Sequence, residues 1–173
     1  MRNVHLLFLF AVLHSSISLF AQGSANTNLN VVLGPIQSIK VNPAQNNVTV
    51  SLSTSSEYMN GKASEQQDHI EVMSNPQYQV TVSAATHLVG ETSSIDISTI
   101  SVTPSFGSLG GNPGGIVLTP QALSLNSNTL VQSSHGDTQR TFNMKYQVSG
   151  GEAYVNKPAG TYTTTITYTI LVP

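Results

Sequence analysis

The chain has 173 residues, of which only 8% are charged, and it contains neither cysteine nor tryptophan. A typical soluble domain carries about 25% charged residues, so this surface has to be built from uncharged polar side chains. The formal net charge of −2 excludes the basic patch that a nucleic-acid partner requires. The lack of cysteine excludes disulfides, thiolate metal sites, a lipid-anchored cysteine and a cysteine nucleophile.

The first residues have the order of a secretory signal peptide. Arg2 is followed by an apolar run at residues 6–13, and Ala21 offers a small residue at a cleavage point. The run is shorter than the ~18 to 20 apolar residues that a membrane-spanning helix needs. We therefore predict a signal peptide at residues 1–21, no membrane span in the mature chain, and export to the periplasm, the cell surface or the medium.

The remaining residues, 22–173, alternate between apolar and polar side chains along many short segments, which is typical of half-buried strands. Gly-Pro, Asn-Pro, Asn-Gly and Gly-Gly pairs separate these segments as turns. This pattern predicts an all-β protein with a single domain, an antiparallel Ig-like β-sandwich. The predicted strands lie at residues 29–33, 36–41, 48–52, 69–73, 78–82, 95–102, 116–118, 130–132, 142–148 and 162–172.

The last predicted strand lies within the sequence GTYTTTITYTILVP at residues 160–173. Threonines line one of its faces, which we expect to meet solvent, where β-branched residues still favour a strand. The opposite face is expected to pack into the core through Tyr162, Ile166, Tyr168, Ile170 and Val172. The polar segment 57–68 is predicted to be a loop or a short edge hairpin, and a single helical turn within it is the alternative.

No arrangement of residues predicts catalysis, a cofactor or a metal site. His69, His87 and His135 occur without a G-x-S-x-G nucleophile motif or zinc-ligand spacing. Glu65, Asp68 and Glu71 do not form a calcium loop. The glycine-rich stretch 107–115 lacks the Lys-Ser/Thr pair of a phosphate loop and is interpreted as a surface loop. The sequence therefore predicts a protein that is not an enzyme.

The ending PAGTYTTTITYTILVP resembles spore-coat-U-like and related chaperone-usher pilin subunits, and more weakly WxL-type surface domains. Phe20-Ala21-Gln22, Tyr58-Met59-Asn60-Gly61 and the segment 76–84 are similar to short motifs in uncharacterised secreted β-sandwich proteins of Bacteroidetes type. The tryptophan of the WxL motif and the cysteines of the pilins are absent here. The resemblance implies a pilin-like fold and a place in the cell envelope more than it implies an activity.

Two functions follow as hypotheses. The first is a structural or adhesive envelope subunit, in which residues 22–33 act as a donor strand for a neighbouring copy or envelope protein, with Leu29, Val31 and Leu33 on one face. Alternatively, these residues form the first strand of their own domain. The second function is an extracellular carbohydrate-binding or cell-wall-binding module, with Tyr58 and Tyr154 as stacking platforms beside the loop 107–115.

Overall fold

A computed structural model describes residues 23–173 of the chain. Strands account for 44% and helices for 11% of the residues, and the strand pairings within all three sheets are antiparallel. These findings confirm the prediction of an all-β protein with antiparallel sheets. The predicted signal peptide lies outside the described residues.

The described residues form eleven strands and two short helices. The helices are α1 (Ser55–Asn60) and α2 (Glu152–Val155), and short 3-10 helices lie at Pro43–Gln45 and Ile97–Thr99. The strands are β1 (Gln37–Val41), β2 (Lys62–Ser74), β3 (Tyr78–Ala84), β4 (Leu88–Val89), β5 (Ser94–Ile95), β6 (Ile100–Phe106), β7 (Ile116–Leu118), β8 (Gln121–Ala122), β9 (Asn128–Ser133), β10 (Asp137–Val148) and β11 (Ile166–Leu171).

The strands form two larger sheets and one small hairpin. The five-stranded sheet has the order β1-β2-β10-β6-β8, the four-stranded sheet has the order β11-β3-β9-β7, and β4 pairs with β5. Inward side chains of both larger sheets form one apolar cluster, because alternate residues of a strand point to the same face. Its fully buried members include Ile70, Val72, Tyr78, Val80, Leu130, Phe142 and Met144.

The polar segment 57–68 is not a loop or a short edge hairpin, so that prediction was wrong, whereas the alternative of a single helical turn is confirmed by α1, which overlaps the start of the segment. A capping box between Thr54 and Glu57 begins α1, and β2 then starts at Lys62 and pairs with β10 as far as Ser74. Residues 62–68 are polar on both faces: the half-buried Lys62, Ser64 and Gln66 are polar, and so is the exposed Glu65, which lies opposite Lys145. This half of β2 pairs with β10 alone, because β1 reaches β2 only from Ile70 onward, and the ladder holds it as a strand although it carries few apolar side chains.

The segment 29–33 was predicted to be a strand, but it forms none. Leu29, Val31, Val32 and Leu33 are between 74% and 91% exposed, and the first strand of the described chain is β1. The apolar alternation of this segment is therefore not accompanied by pairing in a sheet. Four exposed apolar side chains in five consecutive positions therefore remain without a core of their own.

The predicted strand 162–172 pairs with β3 only from Ile166 to Leu171. Its alternation is confirmed, since Ile166, Tyr168 and Ile170 pack against the core while the intervening threonines are exposed. The assignment of Val172 to the core was wrong, because its side chain is 56% exposed beyond the end of the ladder. Before Ile166 the chain leaves β3, and Thr163 keeps only an isolated bridge to Val89.

Candidate functional site

The main candidate site is a groove of about 960 Å³ between two extended segments, residues 46–52 and residues 158–165. Within residues 23–173, no backbone–backbone hydrogen bond involves residues 46–52. The opposite wall continues β11, which is an edge strand of the four-stranded sheet. The groove is therefore bordered on both sides by backbone that has hydrogen-bonding capacity to spare.

The first wall shows what the sequence predicted and what it missed. Val48, Val50 and Leu52 are half-buried and Thr49 and Ser51 are exposed, as the predicted strand 48–52 requires. The prediction that these residues form a strand was wrong, because the segment lies in no ladder of the described chain. Side-chain alternation reports which face is buried, but it does not report whether a neighbouring strand is present.

The second wall has the same alternation. Tyr162 and Thr164 are half-buried, whereas Thr161, Thr163 and Thr165 are exposed. The floor between the two walls is apolar and includes buried core side chains of the two hydrophobic clusters, namely Ile95, Leu123 and Val148. A missing strand at this place would lie directly over the core.

The two walls run in opposite directions. β1 begins opposite the end of β2, where Gln37 pairs with Ser74, and β3 follows β2 after a short turn. The end of β11 pairs with the start of β3, where Leu171 lies opposite Gln79. Thus β1 runs away from the end of the sheets where β2 turns into β3, and β11 runs toward that end. Residues 46–52 follow β1 and residues 158–165 precede β11, so the two walls have opposite directions.

We call the two ends of the groove the lower end, at Gln45 and Tyr168, and the upper end, at Leu52 and Tyr162. The lower end is polar, with His69 at its centre. The His69 Nδ1 donates to Gln45 Oε1 at 2.9 Å, and the Tyr146 hydroxyl donates to His69 Nε2 at 2.9 Å. The Tyr168 hydroxyl lies 2.6 Å from that of Tyr146 and donates to it in this arrangement.

Burial controls the protonation of this polar end. The His69 side chain is buried, and desolvation lowers its pKa, which keeps the imidazole neutral. Desolvation also raises the pKa of Tyr146 to about 12. The lower end therefore offers neutral hydrogen-bonding groups and no ion.

The upper end is aromatic. Tyr58, Tyr154 and Tyr162 belong to a second apolar cluster around Ile95 and Val148. Only 7% of Tyr154 is exposed, and its hydroxyl lies 2.6 Å from Thr99 Oγ1. A stacking platform needs an exposed ring face, so of the two tyrosines proposed from the sequence, the half-buried Tyr58 is the more accessible.

Charge is scarce along the groove. Among the described residues that line it, Lys157 is the one Lys, Arg, Asp or Glu side chain. The groove is thus suited to an uncharged, partly apolar ligand, since transferring an unpaired charge into such a site is costly.

The three histidines considered from the sequence do not form one site. His87 accepts a hydrogen bond from the backbone of Ile97, and His135 contacts the backbone carbonyls of Gly114 and Gly136, whereas His69 is buried below the groove. Within residues 23–173, no group of three or more His, Cys, Asp or Glu is arranged to hold a metal ion.

Asp68 has a structural role that its sequence context did not indicate. Its carboxylate accepts hydrogen bonds from the Ser108 backbone at 2.7 Å, from the Ser108 hydroxyl at 2.6 Å and from the Thr141 hydroxyl at 2.6 Å. These bonds lower the pKa of Asp68, with the Ser108 hydroxyl as the main cause. The carboxylate thereby fastens the start of the glycine-rich loop 107–115 to the five-stranded sheet.

A buried polar cluster on the opposite side of the core was also missed. Asp137 Oδ2 accepts hydrogen bonds from Arg140 Nε at 2.8 Å and from the Tyr78 hydroxyl at 2.8 Å. All three residues are at least nine-tenths buried, and burial raises the pKa of Tyr78. Arg140 also donates to the Asn112 carbonyl at 3.1 Å, and within the described residues no buried side-chain polar atom lacks a hydrogen-bond partner, which fits a structural role.

No known family model matches the chain, and no curated protein shows significant sequence similarity to it. None of the helices between residues 23 and 173 has the length and apolar character needed to cross a membrane. The geometry of the groove is therefore the main basis for a functional proposal.

Proposed function

We propose that this protein is an exported, non-enzymatic structural subunit of the cell envelope that assembles by donating a strand from one copy to the next. In this proposal the two larger sheets form one Ig-like or pilin-like β-sandwich that is short of one strand. The observation that carries the proposal is the groove, which lies above an apolar floor. Within residues 23–173, one of its walls, residues 46–52, makes no backbone–backbone hydrogen bond, and the other wall continues the edge strand β11.

An added strand satisfies both requirements of such a groove. Its backbone forms hydrogen bonds with one or both walls, while its alternate side chains cover the floor. A small ligand with few hydrogen-bonding groups covers the floor but leaves the walls unpaired. The length and the two-sided backbone of the groove thus favour an extended polypeptide.

The chain itself carries a segment with the required pattern. Residues 23–33 contain no charged residue, and Leu29, Val31 and Leu33 lie on one face of an extended chain. These three side chains are 74% to 86% exposed, so their transfer into a groove removes apolar surface from water. We call residues 22–33 the arm.

Strand donation between copies predicts an open assembly. Each copy offers one arm and one groove, and these are different surfaces, so the contact is heterologous and head-to-tail. Such contacts build filaments unless the rotation between copies closes a ring. The predicted signal peptide, the uncharged hydroxyl-rich surface and the resemblance to pilin subunits support an extracellular or periplasmic place for this assembly.

The test is size-exclusion chromatography with light scattering on residues 22–173 purified from an exporting cell, with electron microscopy of the same fractions. We expect ordered oligomers or filaments, and a soluble monomer once residues 22–33 are deleted. A monomer at every concentration refutes the assembly function. Unfolding of the deletion variant instead indicates that the arm belongs to its own domain.

A neutral glycan is the competing ligand, because the half-buried Tyr58 and Tyr162 line the upper end of the groove beside many hydroxyl groups. Tyrosine rings stack on the apolar faces of sugars. A glycan array with hits that Tyr58→Ala abolishes, on a protein that remains monomeric, favours this binding function over assembly.

A further inference from the structure

We infer that His135 is a pH-sensitive latch, whose charged form holds the tip of the glycine-rich loop 107–115 against the turn between β9 and β10 and whose neutral form releases it. The loop and the turn border a cavity of about 460 Å³. This cavity shares no lining residue with the groove, so the inference does not depend on the proposed function. Release of the loop opens the cavity as the pH rises.

The contact that carries the inference is a double one. His135 Nδ1 lies 2.9 Å from the carbonyl oxygen of Gly136, and His135 Nε2 lies 2.9 Å from the carbonyl oxygen of Gly114. A carbonyl oxygen accepts hydrogen bonds and cannot donate one, so both ring nitrogens have to carry a proton for both bonds to form. The neutral imidazole has only one N–H. The arrangement therefore requires the imidazolium.

On losing its proton, the ring has to give up one of the two bonds. Gly136 is the next residue of the same turn, so the chain keeps its carbonyl beside Nδ1. Gly114 is 21 residues away in the sequence and is exposed, so water can satisfy its carbonyl once the loop moves. Deprotonation thus breaks the bond between His135 and Gly114.

The tip of the loop, residues 110–114, has few other attachments. It belongs to no sheet of the described chain, and two side chains outside the loop donate hydrogen bonds to it. These bonds run from His135 to Gly114 and from Arg140 Nη2 to the Asn112 oxygen at 3.1 Å. Arginine keeps its charge at every pH at which the protein is folded, so of these two contacts only that of His135 responds to pH.

The charged and ionisable groups near His135 are few. On β10, the Asp137 carboxylate favours the imidazolium and the Arg140 guanidinium opposes it. On β3, the Tyr78 hydroxyl donates to Asp137 and stays neutral because burial raises its pKa. The glycine-rich loop and the turn between β2 and β3 carry no ionisable side chain.

The hydrogen bonds to the two carbonyls set the pH range of the latch. They raise the pKa of His135, the bond to Gly136 first and the bond to Gly114 second. The imidazolium is therefore retained below the ordinary histidine value of about 6.5 and is lost as the pH rises through the raised pKa of the folded state. The latch is closed in acid and open in alkali.

A spin label at the tip of the loop reads this change. The protein contains no cysteine, so Gly111→Cys provides a single labelling site, and a side chain there meets no atom within 4 Å. Electron paramagnetic resonance is recorded on the labelled mature chain, residues 22–173. We expect the rotational correlation time of the label to fall by at least about twofold between about pH 5.5 and about pH 9, because a released loop tip moves on the nanosecond timescale of free loops.

Three variants serve as controls. His135→Gln removes the charge, so the label should be mobile at both pH values. His87→Gln removes a histidine that contacts Ile97 and not the loop, and it should leave the pH response of the label unchanged. A label at Ser127→Cys, in an exposed turn elsewhere, should show no pH response. Melting temperatures establish that each variant is folded.

An NMR titration of the unsubstituted chain tests the same inference without any variant. The amide signals of Gly111 and Gly114 should shift with the midpoint of the His135 ring signal, and this midpoint should lie above about 6.5. A His135 midpoint below that value overturns the imidazolium bridge. A label that is equally restrained at both pH values, or a pH response that persists in His135→Gln, overturns the latch.

Discussion

Replacing Val31 by aspartate tests whether the arm is buried during assembly. Val31 is 74% exposed, so in the isolated subunit a charged residue at this position disturbs no packing. In the assembled state the same side chain faces the floor of the groove. The substitution Val31→Asp should therefore leave the stability of the monomer unchanged and weaken assembly.

The size of the effect follows from burial. Full burial of a valine side chain contributes ~1.5–3 kcal/mol. Because about three quarters of Val31 is exposed and available for burial, replacing it by aspartate removes ~1–2 kcal/mol of the free energy of assembly. Desolvation of the carboxylate adds a penalty of several kcal/mol. A total of at least ~4 kcal/mol corresponds to a loss of roughly a thousandfold in affinity, at ~1.4 kcal/mol per tenfold.

Val32→Asp is the matched control, because Val32 is the neighbouring residue on the other face of the arm and is 91% exposed. It introduces the same charge without placing it on the groove floor. The assay is the concentration dependence of light scattering for both variants, with thermal unfolding to compare their monomers. Equal effects of the two substitutions would refute the reasoning, since they would mean that net charge and not burial governs assembly.

Three further predictions concern the folded subunit. Arg140→Leu leaves the Asp137 carboxylate buried without its cation, and we expect a loss of ~3–5 kcal/mol in the free energy of unfolding; a loss below ~1 kcal/mol in urea titrations would contradict a paired, buried role. The pKa of His69 is lowered in the folded state, so the unfolded chain binds the proton more strongly and stability should fall as the pH drops below about 6.5. His69→Gln should reduce this pH dependence in unfolding measured at about pH 7.5 and about pH 5, and an unchanged dependence would assign it to other groups. Gly61→Ala should destabilise the folded state strongly, because Gly61 has φ +76° and an added methyl group would lie 1.9 Å from a carbonyl oxygen of β10. Gly160→Ala is the matched control, since a methyl group there meets no atom within 4 Å. Similar melting temperatures for the two variants would contradict the close approach.

Much of the fold was predictable because strand periodicity is a local property. The alternation at residues 78–82 and 142–148 identified β3 and the second half of β10, and the turn residues marked where strands end. The missed part of β2, residues 62–68, is polar on both faces and shows no apolar alternation, so its strand character depends on β10 beside it. Pairing of that kind joins residues far apart in sequence, and no local pattern contains it.

The candidate site was predictable only in fragments. The arm face of Leu29, Val31 and Leu33 and the tyrosine Tyr58 were selected from the sequence, but the groove was not. Its walls at residues 48–52 and 162–165 have the same alternation as paired strands. The absence of a neighbouring strand does not change the order of polar and apolar side chains, because this alternation depends on which face is buried and not on which edge is hydrogen-bonded.

The sequence by itself determined that this protein is built from antiparallel strands with an uncharged polar surface, because composition and period-two alternation decide how a chain divides between core and solvent. Only the tertiary structure decided which strands have partners. Residues 46–52 and 158–165 approach from opposite ends of the chain and border a groove over the core. Their separation is set by the packing of the two sheets, which no single segment of the sequence specifies.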